Sequence, residues 1–120
     1  MVVRAPGAPC SSGGFETPLG VADIDDACVA RLMAETPIIR DEPDAHAREH
    51  SLEMQLPFVR YLAPRARIVP LLIGTQTAAT ASALADALEH VLAETITSGR
   101  VVIVASSDLF PYTTLFRLSL

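Results

Sequence analysis

Hydrophobic and polar positions fall into blocks of different period along this 120-residue chain. Residues 1–20 show no period: they are rich in Gly, Pro, Ser and Ala. Cys10-Ser-Ser-Gly-Gly14 reads as a flexible loop, and nothing here reads as a first strand. From Asp23 a helical period begins, with Ile24, Cys28, Leu32 and Met33 on one side. Asp23, Asp25 and Asp26 place negative charge where the helix dipole favours it, and Thr36-Pro37 ends the segment. Ile38-Ile39 reads as a very short strand, and Asp41 to Asp44 as an acidic turn whose last residue caps the next helix. That helix is predicted from Ala45 to Leu56, with Leu52, Leu56 and Val59 on its buried side. Pro57 either kinks it or opens a further stretch through Leu62.

Arg67-Ile-Val-Pro-Leu-Leu-Ile-Gly74 is an apolar run that predicts a strand buried on both faces, weakened by Pro70. Thr77 to Thr95 predicts a long helix buried along Leu84, Leu88, Val91 and Leu92. Gly99 turns the chain into a second, clearer buried strand, Arg100 to Ala105. Strand, helix, strand is a βαβ unit with a parallel sheet. The fold class is therefore α/β: a parallel βαβ core with flanking helices, incomplete as a piece of a larger three-layer α/β domain. Missing outer strands would leave sheet edges open, which invites homo-oligomers. Ligands of parallel sheets gather at the carboxyl ends of strands, and Ser106-Ser107-Asp108 stands there.

Composition narrows the function. Half the residues are hydrophobic and 19% are charged, enough apolar surface for a core. A net charge of −5 argues against nucleic acid as a partner, and all nine cationic residues are arginine. Cys10 and Cys28 have no partner at zinc-ligand or disulfide-framework spacing. No apolar run approaches the ~20 residues of a membrane span and no leader pattern opens the chain, which predicts a cytoplasmic protein.

The densest chemistry is His46-Ala-Arg-Glu49-His50-Ser-Leu-Glu53. On a helix, a step of about 100° per residue gathers His46, Glu49, His50 and Glu53 beside the apolar stripe. Such a cluster fits a pocket wall and fits a solvated helix edge equally well. His46-x-x-Glu49-His50 also has the order of inverted zinc proteases, in which two imidazoles grip the metal and the glutamate is the base. A third ligand would have to come from Glu89 or Glu94. Ser107 and Asp108 lack the nucleophile elbow of a hydrolase triad, and His90 reads as a surface residue between Glu89 and Glu94.

Four stretches resemble the MEMO-like family, whose bacterial members are called AmmeMemoRadiSam system protein B. They are Thr17-Pro-Leu-Gly20 with Val21 to Asp23, Glu49-His-Ser-Leu-Glu-Met-Gln-Leu-Pro-Phe58, Ile68-Val-Pro-Leu-Leu-Ile-Gly74, and Val104-Ala-Ser-Ser-Asp-Leu109. The resemblance covers about residues 15–109 and the middle of a family member. It implies a fold related to the class III extradiol dioxygenases and, in full-length relatives, a non-haem iron or copper protein of dioxygenase-like or redox type. It implies pocket roles for Asp108, His50 and Glu49. The family's upstream histidines are absent, and Pro111 replaces the histidine that should follow the Ser-Ser-Asp run. The piece itself is therefore expected to hold no cofactor and to be inactive. The alternative from another class is a non-enzymatic binding or signalling module that takes a small molecule or peptide. Leu109 to Arg117 also matches, letter for letter, one reading frame of a DNA-sequencing adapter. The predicted organisation is thus a partial domain over 1–109 and a non-native tail over 110–120.

Overall fold

The computed structural model describes residues 2–4, 13–41 and 50–106. Among these the chain runs β1 (Val2–Arg4), β2 (Gly14–Thr17), β3 (Gly20–Asp23), α1 (Asp26–Glu35), α2 (Ser51–Leu62), β4 (Arg67–Val69), α3 (Ala78–Thr97) and β5 (Val101–Ile103). The class is mixed α/β, as predicted. Residues 42–49 and 107–120 lie outside the described residues, and with them the expected Asp44 cap, the start of the His46 helix, Ser107, Asp108 and the tail.

The first departure is a hairpin where a loop was expected. β2 and β3 pair antiparallel from Gly14 opposite Asp23 to Thr17 opposite Gly20. Thr17 Oγ1 donates to the Gly20 carbonyl at 2.6 Å and accepts from the Leu19 amide at 3.1 Å, closing the Pro18-Leu19 turn. Gly20 takes φ +104°, a value that a side chain would resist. The strands are four residues each, too short for an alternating pattern to stand out beside Gly and Pro.

The sheet corrects a second expectation. β4 and β5 run in the same direction and α3 joins them, as a βαβ unit requires, but they are not neighbours. β1 lies between them and is antiparallel to both, with Val2 opposite Val69 on one side and Ile103 on the other. Val2-Val-Arg4 has two strand-forming valines and only three residues, with no period to read. Parallel contact survives at the far edge of β4, where Ile24 bridges Ile68 and the Asp25 amide donates to the Ile68 carbonyl at 2.8 Å.

Both predicted strands shorten. β4 stops at Val69 because Pro70 has no amide to give the ladder. β5 stops at Ile103 and is buried only at Val101; Val102 and Ile103 are half exposed or more. Ile38 and Ile39 form no strand: the Ile39 amide turns back to the Thr36 carbonyl at 3.3 Å, and Ile39 packs against the core.

β4 organises the interior. Successive strand residues point to opposite faces, and Ile68 and Val69 are both fully buried. Val69 joins Cys28, Leu32, Val91, Leu92 and Val101, so α1 and α3 cover one face. Ile68 joins Ala22 and Leu56, with Phe15, Ile24, Leu52 and Val59 around them, so α2 and the hairpin cover the other. The two-faced burial predicted for this strand is what the chain builds. Arg31 Nη2 reaches from α1 to the Val91 carbonyl of α3 at 2.8 Å and ties the two helices together.

The helices keep their predicted faces with shifted ends. α1 starts at Asp26, because the Asp25 side chain is its cap and accepts from the Cys28 amide at 3.2 Å. Met33, expected on the buried side, is 38% exposed. α2 continues through Pro57 to Leu62 as one helix, so the proline does not open a second one. α3 is capped by Thr77, whose Oγ1 accepts from the Thr80 amide at 3.1 Å, and Gly99 with φ +67° leads into β5.

Candidate functional site

The densest chemistry of the sequence falls at the start of α2. α2 is joined to β4 by the four residues 63–66 and packs Leu56 against Ile68 and Ala22. Of the predicted site residues, His50 alone is described. Glu49, His46 and Asp108 lie outside the described residues.

His50 is the N-cap of α2, not a mid-helix residue, and makes no side-chain cap bond. Its carbonyl accepts from the Met54 amide at 3.1 Å, which starts the helix. Its Nδ1 lies 3.2 Å from Glu53 Oε2, so the helical gathering of polar side chains predicted for this stretch holds for these two. Both side chains are open to water, at 82% and 61% exposure. An exposed pair of this kind contributes little to stability, about 0.5 kcal/mol or less. What it does is hold one face of an imidazole while the rest meets solvent.

A metal centre needs several donors converging on one point. Among the described residues no group of three His, Cys, Asp or Glu side chains does so. The described part of the site thus does not fit a metal by itself. Glu89 and Glu94, the remaining ligand candidates for a zinc protease, sit on α3, across the sheet from α2. That placement works against joining either of them to His50.

Two further constellations lie beyond the local pattern. His90 is on the surface as predicted, 76% exposed, and its Nδ1 lies 2.7 Å from Glu35 Oε1 at the end of α1, beside a groove that Thr36, Ala83, Asp86 and Ala87 also line. The partners are 55 positions apart, beyond any local pattern. Asp25 is the buried polar residue of the core, fully enclosed, with Oδ2 3.6 Å from Arg67 Nη2. It caps α1, bonds β4 through its amide and faces an arginine, which accounts for a buried carboxylate structurally.

The sequence profile of the Memo-like protein family matches residues 4–119. A MEMO1 family protein of Caldivirga maquilingensis is 41% identical over 110 residues, covering 92% of this chain and 38% of the relative. One from Saccharolobus solfataricus is 39% identical over 101 residues, 83% of this chain and 35% of the relative. Another, from Pyrobaculum arsenaticum, is 36% identical over 111 residues, 92% of this chain and 38% of the relative. The chain thus spans little more than a third of the length of these relatives. No solved structure matches it. With nearly its whole length inside the profile, the chain belongs to the Memo-like protein family.

Proposed function

We propose that the longer protein to which this stretch corresponds is a metal-binding member of the family, a non-haem iron or copper protein of redox or dioxygenase-like type. Residues 1–109 contribute one wall of its pocket, with His50, Glu49 and Asp108 facing the substrate, and residues from outside this stretch complete the metal set. The observation that supports this is His50 itself: an exposed imidazole at the start of α2, steadied by Glu53 at 3.2 Å. By itself the 120-residue chain is expected to be inert, and the protein is expected in the cytoplasm.

The exposure of the same pair favours a second reading. At 82% and 61% open, His50 and Glu53 are as well placed to meet a peptide or other partner as to line a closed pocket. Elemental analysis of the intact protein, purified without added metal, separates the two. About one iron or copper per chain, with oxygen uptake lowered by His50→Ala at unchanged metal content, is expected for the enzyme. Metal-free protein that retains a partner would replace it with the binding module.

A further inference from the structure

α2 has two apolar faces. Leu52, Leu56 and Val59 pack toward Ile68, while Met54, Phe58, Tyr61 and Leu62 are 67%, 66%, 76% and 78% exposed. At about 100° per residue the four exposed side chains fall within one stripe, on the side of the helix away from the core. They present on the order of 600 Å² of surface, the upper end of the largest apolar patch on a typical monomer.

We propose that this stripe is a self-association surface, on which α2 of a second copy of the chain packs antiparallel about a two-fold axis at Phe58. That register sets Met54 against the partner's Leu62 and the two Phe58 rings beside each other. Charge fits the same arrangement. Glu53 stands in the first turn and Arg65 lies exposed just beyond the last, whereas Arg60 turns away to the Pro64 carbonyl. In the antiparallel pair Glu53 of each copy comes toward Arg65 of the other, and the helix dipoles oppose. Two such faces would bury at most roughly 1,200 Å² in all, the lower bound of standard-size interfaces, which suits a weak, reversible dimer. An isologous contact of this kind closes on itself and gives a dimer, not a fibre.

Sedimentation velocity of the 120-residue chain from about 1 to 200 µM tests this, with far-UV circular dichroism to confirm folding. The expected result is a monomer–dimer equilibrium weakened roughly tenfold or more by Phe58→Glu, since central aromatic side chains dominate such contacts. Glu53→Arg and Arg65→Glu should each weaken the dimer, and the double exchange should recover it, which loss of folding would not mimic. A folded chain that stays monomeric throughout, leaving the stripe to some other segment of a longer polypeptide, overturns the proposal. So does a dimer indifferent to Phe58→Glu.

Discussion

Asp25 and Arg67 meet across the fold with Oδ2 and Nη2 3.6 Å apart, the carboxylate fully buried and the arginine side chain 12% exposed. The same aspartate caps α1 through the Cys28 amide and gives its own amide to the Ile68 carbonyl. One residue thus joins a helix start, the edge of β4 and a buried charge pair. Asp25→Ala should therefore cost about 3 kcal/mol, because it removes a cap and takes away the buried carboxylate that Arg67 faces. Asp25→Asn keeps the cap and should cost less. Urea unfolding of the three proteins checks the order; equal losses would mean that the charge, not the cap, matters.

Leu32 and Met33 are adjacent on α1, with the first fully buried and the second 38% exposed. Leu32→Ala is expected to destabilise by about 3 kcal/mol and Met33→Ala by about 0.5 kcal/mol or less. Periodicity alone places both on the buried side. Thermal and chemical unfolding of the pair would expose a rotation of α1 if the two losses came out alike.

Gly14 and Gly74 make a matched pair of glycine tests. A Cβ at Gly14 would run into the Val21 side chain and sit 2.9 Å from the Ala22 carbonyl oxygen, whereas at Gly74 it would meet nothing within 4 Å. Gly14→Ala should cost about 2 kcal/mol by prising the hairpin apart. Gly74→Ala should be neutral or stabilise by about 0.5 kcal/mol through the unfolded chain. A reversal in differential scanning calorimetry would show that β2 and β3 do not pack as described.

His50→Ala should change stability by about 0.5 kcal/mol or less, since the imidazole is 82% exposed and caps nothing. Thr77→Ala should cost about 1 kcal/mol, because that hydroxyl accepts from the Thr80 amide at the start of α3. Equilibrium unfolding distinguishes them. A large loss at His50 would reassign it from a site residue to a structural one.

What could be read from the chain was local. The Leu56 side of α2 and the start of α3 near Thr77 follow from the 3.6 period, and the two-faced burial of β4 from an unbroken apolar run. Short elements escaped: β1 and the β2–β3 hairpin have too few residues for a period, and their pairing depends on partners elsewhere. Long-range polar pairs escaped for the same reason, Asp25 with Arg67 and Glu35 with His90 among them. For the site, the His50–Glu53 neighbourhood was legible because it is one turn of helix. His50 as a cap was not, since its role depends on where the helix begins.

β1 has no neighbour close in sequence. Val2 is matched with Val69 and with Ile103, so the central strand of the sheet pairs with segments far along the chain. Loops of that span must close before any reward in backbone bonding arrives, which slows folding. Each helix and the hairpin can form early and locally, while the sheet assembles last. A bulky tag fused directly before Val2 should accordingly retard refolding far more than one placed in the stretch between Gly74 and Thr77.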